Sequence, residues 1–142
     1  MRADETRFDG DAVELANRFC HELALGPAQL CVWGGESTVH LPDAPGNGGR
    51  NQHLALAAAR LLVSHEGLLL LVAGTDGTDG STSDAGALVD SGTLERGAVG
   101  GFDADTCLAR ADSARFLEAA GDLLHTGPTG TNVGDLVIGL KG

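Results

Sequence analysis

Leu68 to Ala73 is an unbroken run of six apolar residues closed on both sides by glycine, Gly67 and Gly74. A run this short falls far below the roughly 20 apolar residues that span a bilayer. Bounded by turn residues, it reads as a strand buried in a sheet. Directly before it, Asn51 to about Glu66 places Leu54, Ala55, Ala58, Leu61 and Leu62 on one face, and its alanines favour a helix. A second amphipathic helix is expected from about Asp11 to Leu25, with Val13, Leu15, Ala16, Phe19, Leu23 and Ala24 on its apolar side and Gly26-Pro27 ending it.

Between these helices, Gln29 to Trp33 reads as a short buried strand stopped by Gly34-Gly35. Ser37 to Leu41 reads as a second strand after that turn, and Pro42 to Gly49 as a loop. Further on, Ala85 to Val89 suggests the start of a short helix. Asp103 to Ala109 and Ser113 to Ala119 suggest two more, opened by Asp103 and by Asp112 or Ser113 as caps. Leu123 to Thr126 and Leu136 to Leu140 are candidate last strands. This order, with near-continuous apolar strands, predicts an α/β fold: a single domain over residues 1–142 with a mixed β-sheet of about five to six strands flanked by helices. Residues 1–10 are expected to be flexible. They carry acids and arginines with no apolar stretch, so no secretory signal is recognised and the cytoplasm is the expected location.

Charge narrows the partners. Nine basic residues against twenty acids give a formal net charge of −11. Nucleic acid and anionic membranes are therefore disfavoured, because binding them depends on many Lys and Arg side chains. A small anionic substrate remains compatible through local arginine and backbone N–H groups. The three cysteines, Cys20, Cys31 and Cys107, are odd in number and widely spaced, which suits buried thiols better than disulfides or metal knuckles. The five histidines lack ligand spacing, and neither a nucleophile elbow nor an aromatic platform for bases is present.

The 22 glycines concentrate in a few polar loops. Gly34-Gly35-Glu36-Ser37 follows a strand, where α/β sheets bind ligands. Gly46-Asn47-Gly48-Gly49-Arg50-Asn51-Gln52 opens into the strongest helix, whose free N–H groups and dipole favour an anion. It is neither a Walker A loop nor a dinucleotide fingerprint. Gly74-Thr75-Asp76-Gly77-Thr78-Asp79-Gly80-Ser81-Thr82-Ser83-Asp84 has three carboxylates able to hold Mg²⁺ or to orient hydroxyl groups. Thr126-Gly127-Pro128-Thr129-Gly130-Thr131-Asn132 has the composition of an oxyanion nest. Each loop alone could equally be a turn. Four of them in so small a domain point to an anion-facing edge.

Taken in order, Gly34 to Val39, Gly49 to Gln52, Gly74 to Gly77 with Asp79-Gly80, Ala85 to Ala87, and Thr126 to Val133 with Asp135-Leu136 resemble the MOFRL domain of glycerate kinases, over about Leu30 to Leu140. The resemblance implies a domain of an enzyme that uses ATP and Mg²⁺ to phosphorylate D-glycerate at its 2-hydroxyl. The site would lie in a cleft shared with a Rossmann-like N-terminal domain or subunit outside these 142 residues, and the domain alone would be inactive. Arg50 would be the catalytic clamp. Gly35, Glu36, Ser37, Gly48, Gly49, Asn51, Gln52, Thr75, Thr129, Gly130, Thr131 and Asn132 would bind substrate or phosphate, and Asp76 and Asp79 the metal. Members also carry the name hydroxypyruvate reductase. Other readings left open are a non-catalytic module for an anionic metabolite, a truncated fragment, and a homo-oligomeric assembly. Two departures stand out: His53 follows Arg50-Asn51-Gln52 where the family commonly has an acid, and Gly80-Ser81-Thr82-Ser83 replaces Gly-Pro-Thr-Asp.

Overall fold

The computed structural model describes residues 1–142. Its elements, in order, are β1 (Arg2–Ala3), β2 (Phe8–Asp11), α1 (Ala12–Leu25), β3 (Leu30–Thr38), α2 (Arg50–Leu62), β4 (Leu68–Gly74), β5 (Gly86–Val89), α3 (Thr93–Val99), α4 (Ala104–Ala109), α5 (Ser113–Ala120), β6 (Leu123–Leu124) and β7 (Asp135–Lys141). The α/β class and the mixed sheet are as expected. The seven strands run β1-β3-β7-β4-β5-β6, with β2 also paired to β3 along the same edge as β1. No helix is long and apolar enough to cross a membrane.

Local chemistry accounts for the helices. Asp11 caps α1 by accepting from the N–H groups of Val13 and Glu14, at 3.0 and 3.1 Å. Leu15, Ala16, Phe19, Cys20 and Leu23 turn its apolar stripe onto the sheet. There Phe19 meets Phe8 edge-on, with ring centroids 5.1 Å apart, and Trp33 at 4.7 Å. Trp33 keeps its indole N–H satisfied by donating to Glu22 at 3.0 Å. Helix α2 is the centre of the molecule, with ten of its thirteen residues buried. It rests on β4 and β5 and carries α5 and α4 on its other side, so its small alanines serve close packing all round.

The helices lie on one face of the sheet. Cys31, Trp33, Leu70, Val72 and Val137 point into that core. Residues of the opposite parity, Val32, Leu69, Leu71 and Ile138 among them, are only half-buried, and Leu88 and Leu140 are exposed. The strands are therefore apolar on both faces although only one is covered.

Four local expectations change. Residues 1–10 are not loose: Phe8–Asp11 pairs in parallel with Gly35–Thr38, and Arg2–Ala3 with Cys31–Val32. Gly34-Gly35 is no turn but the middle of one nine-residue strand, β3. Glycine is needed there for closeness, since a Cβ on Gly35 would overlap the Phe8 backbone and ring. Ala85 to Val89 forms strand, not helix, because Gly86 lets β5 press against Val72 and Ala73 of β4. Helix α3 is absent from the sequence reading because Gly92, Gly97 and Gly100 break its helical signal. Gly97 is required because the Phe116 ring fills the space a Cβ would take.

Gly35→Ala should lower stability by about 2 kcal/mol, the scale of overpacking a tight contact, when measured by urea unfolding. Gly34→Ala, whose Cβ would meet nothing nearer than the Asp135 carbonyl at 3.9 Å, should leave the midpoint almost unchanged. Equal effects of the two substitutions would refute this role for Gly35.

Candidate functional site

Strands β3 and β4 both run antiparallel to β7, which lies between them, so they are parallel to each other. Their C-terminal ends meet the start of β7, and Asp135 is in register with both Gly35 and Gly74. Helix α2 begins at the same end of the sheet. The three glycine-rich loops and the Gly34–Ser37 segment of β3 are thus gathered onto one edge, at the carboxyl ends of the strands.

The loop after β4 folds back over the first turn of α2. Asp79 Oδ1 accepts from the Asn51 N–H at 3.0 Å and from Asn51 Nδ2 at 3.2 Å, and Oδ2 accepts from the Gln52 N–H at 2.7 Å. Gly49, the residue before the helix, has no side chain with which to cap it. Asp79 does that work from 28 residues away, beside the positive end of the helix dipole. The approach is so close that a Cβ on Gly49 would overlap Asp79, and Gly80 turns with φ of +60° against Gly49. Asp79 is only 2 % exposed, and burial pushes its pKa up to about 6 against the opposing pull of these hydrogen bonds. Gln52 Nε2 donates to Thr82 Oγ1 at 2.9 Å, tying the far side of the loop to the helix.

Arg50, one residue into α2, reaches across to β7. Its Nε donates to Asp135 Oδ2 at 2.6 Å and Nη2 to Oδ1 at 3.1 Å, a bidentate pair with a buried carboxylate. Nη1 lies 3.2 Å from Glu36 Oε1 at the end of β3. Donating to Asp135 raises the Arg50 pKa further, with Glu36 adding to it. The expected clamp is therefore already charge-balanced, with Asp135 as its anchor.

The remaining loops are laced together. Thr75 Oγ1 donates to the Gly134 carbonyl at 2.6 Å and accepts from the Val133 N–H at 2.9 Å. Thr129 Oγ1 donates to the Thr75 carbonyl, and Asn132 Oδ1 accepts from the Gly134 N–H at 3.1 Å. Asp76 Oδ1 accepts from the Thr78 N–H at 3.0 Å, and its other oxygen has no protein partner. Thr129, Gly130, Thr131 and Asn132 form an exposed rim, whereas Asn51 and Gln52 are buried under the Asp79–Thr82 loop.

Two hollows result, divided by Arg50 and Gly80. The first, about 370 Å³, is lined by Glu36, Asp76, Asp79, Asp135 and Asn132, with Arg50 on the shared wall. Four carboxylates face one guanidinium, so a bare anion is repelled and a cation attracted. No three or more His, Cys, Asp or Glu side chains are gathered to hold a metal by themselves. The donor set does fit a Mg²⁺ that keeps most of its waters and arrives with phosphate oxygens, for which one or two carboxylates suffice. The second hollow, about 350 Å³, lies on the other side and contains Ser37, Gly48, Gly49 and His53. Of the residues expected at the site, Ser37 and Gly48 face this second space and Asp76 and Asn132 the first. Asp135, His53 and Ser113 were named from sequence only as a motif residue, a departure and a cap candidate, and none was assigned to the site.

The model of the MOFRL family matches residues 29–135. The D-glycerate 2-kinase of Thermotoga maritima is 52% identical over 114 residues, which is 80% of this chain and 27% of that protein. The glycerate 2-kinase of Pyrococcus horikoshii is 42% identical over 114 residues, 80% of this chain and 26% of that protein. The crystal structure of the glycerate kinase from Thermotoga maritima superposes with a TM-score of 0.90 at 42% identity, covering 99% of this chain and 36% of that one. The chain thus spans about a quarter to a third of the length of these relatives.

The native pKa of Asp79, about 6, lies above its ordinary 3.8, so the folded protein holds this proton more tightly than the unfolded chain. Its contribution to stability is greatest below about pH 4 and is lost as pH rises through 6. The unfolding free energy of the wild type relative to Asp79→Asn should therefore grow as pH is lowered from 7 to 4.5 in urea titrations. A relative stability that shrinks over that interval would contradict the assignment.

Proposed function

The chain belongs to the MOFRL family, and we propose that it forms one wall of the active site of an ATP-dependent glycerate kinase, which transfers a phosphoryl group to the 2-hydroxyl of D-glycerate. The reading is supported most directly by the acidic hollow at the strand ends, set beside a charge-balanced arginine and the start of a buried helix. A second domain or subunit supplies the opposite wall. The three unpaired cysteines, all buried, suit a protein that works in the reducing cytoplasm.

Phosphoryl transfer needs little covalent help from the protein and much positioning and charge compensation. Mg²⁺, when bound with ATP, would offset the phosphate charges, with Asp76 and the remaining lone pair of Asp79 its protein-side ligands. Arg50 is held by Asp135, and its Nη1 lies 3.2 Å from the exposed Glu36 on the wall of the acidic hollow. From there it meets charge on the transferring group without losing entropy at the moment of reaction. Gly130, Thr131 and Asn132 offer backbone, hydroxyl and amide donors at the rim, and the Thr129 hydroxyl is committed to the Thr75 carbonyl. Thr75 and the side-chain amide nitrogens of Asn51 and Gln52 make internal hydrogen bonds that hold these loops in place, while Asn51 Oδ1 and Gln52 Oε1 have no protein partner.

The 142-residue chain alone should show no ATP-dependent phosphorylation of D-glycerate, and activity should appear on mixing with a separately produced N-terminal domain of a glycerate kinase. In that mixture Arg50→Ala and Asp76→Asn should each lower kcat/KM on the order of 100-fold, the scale of losing one preorganised electrostatic group. Values near wild type for both would sink the assignment. Saturable D-glycerate binding with no turnover on mixing would instead identify a non-catalytic module.

A further inference from the structure

The face of the sheet turned away from the helices takes no part in the site at the strand ends. In register across it run Val32, Ile138, Leu71 and Leu88, with Leu30, Leu140 and Leu69 in the next row. Leu136 and Ala73 follow on the other side of the central row, between Gly34 and Gly86. No charged or polar side chain interrupts these three rows, in a chain with twenty acids and nine bases. An antiparallel sheet face left to water ordinarily carries polar residues, whereas strands apolar on both faces belong to sheets covered on both. Here Leu88 and Leu140 stay 44 % and 43 % exposed, and Val32, Leu69, Leu71 and Ile138 are only half-buried.

Charge and area decide what covers this face. A net charge of −11 repels an anionic membrane, and the three rows hold no lysine or arginine to bind one. The second wall of the proposed active site stands over the carboxyl ends of the strands, at the edge of the sheet rather than on its face. A second copy meets neither objection. The face is uncharged, so two copies bring no like charges into direct contact there, and an isologous contact asks only that one patch complement itself. Four strands about 4.8 Å apart, with about five residues of roughly 3.4 Å each, span on the order of 300 Å² in projection and more in accessible surface. Two such faces stacked about 10 Å apart, with their rims, bury on the order of 1,000 Å², the lower bound for a specific contact. The net charge of each copy opposes their approach from a distance, and salt screens that repulsion.

We propose that the chain pairs with a second copy through this face, the two sheets stacking with Ile138 and Leu71 at the centre of the contact. The strand-end edge of each copy stays open, so pairing and phosphoryl transfer are independent. The dimer is weak at low salt and tightens as salt is raised.

Sedimentation equilibrium of the 142-residue chain from about 10 μM to about 1 mM, in about 0.05 M and about 0.5 M NaCl, tests this. The mass should rise toward that of a dimer with concentration, and should do so at lower concentration in the higher salt. Leu88→Lys combined with Leu140→Lys, both at exposed positions, should stay folded by circular dichroism and weaken pairing at least about tenfold, the scale of desolvating an unpaired charge. The two added positive charges lower the net repulsion between copies, so weaker pairing is traced to the face itself. Val99→Lys, on α3 and 86 % exposed, should pair as the wild type does. In the wild type, the methyl groups of Leu71 and Ile138 should become shielded from a soluble paramagnetic probe as concentration rises, a readout that needs no variant. A monomer under every condition, pairing unchanged in the double variant, or pairing without shielding of Leu71 and Ile138 would each overturn the proposal. Shielding that appears only on adding a separately produced N-terminal domain would overturn it too, and would assign the face to that domain.

Discussion

A buried carboxylate laid over the open end of a helix organises this edge of the molecule. Helix α2 must be preceded by glycine, because Gly48 and Gly49 are pressed against Ser113 and Asp79, and a glycine has no side chain with which to cap. Two of the orphan N–H groups of its first turn are satisfied by Asp79 from the following loop. Burying that charge is costly, as its raised pKa records, but the hydrogen bonds and helix dipole offset much of the cost. The loop from Thr75 to Asp84, too polar to pack by itself, thereby acquires a fixed position. Arg50, the next residue in the helix, then reaches Asp135 and joins the same edge to β7.

This arrangement sorts charge in space. Four carboxylates collect on one side of Arg50 and Gly80, and none on the other. The side without carboxylates is lined by Ser37, Gly48, Gly49, His53 and Ser113 among others. Arg50 serves as the shared wall. Its guanidinium is compensated by Asp135 and Glu36, so it acts as an oriented group rather than as a free positive charge.

Much of the scaffold was legible from periodicity. The two long helices, the Leu68–Ala73 strand and the final apolar strand follow directly from apolar spacing and flanking glycines. What was not legible depends on glycines that serve contact rather than turning. Gly34-Gly35 reads as a turn in one dimension, yet Gly35 is where Phe8 packs flat on β3. Gly97 hides a helix because its missing side chain makes room for Phe116. The loops were recognised as a site from composition, but the pairing within them was not. Arg50 and Asp135 are 85 residues apart, and no local spacing joins them. Asp79, expected from sequence to bind metal, is seen to cap α2, a role that its position in a Gly-Thr-Asp loop does not signal. Ser37 was expected at the site from sequence, but that its hydroxyl and His53 Nδ1 are buried without a partner is seen only in the fold.

The dependence of this edge on Asp79 is tested most directly by amide hydrogen exchange at Asn51 and Gln52. N–H groups at these helix positions ordinarily have no intrahelical acceptor and exchange readily. Here both should be protected nearly as well as the interior of α2 at Leu56. In Asp79→Ala that protection should be lost at these two positions while Leu56 keeps its own. Rapid exchange at Asn51 and Gln52 in the wild type, or protection unchanged in Asp79→Ala, would contradict a site built on this carboxylate.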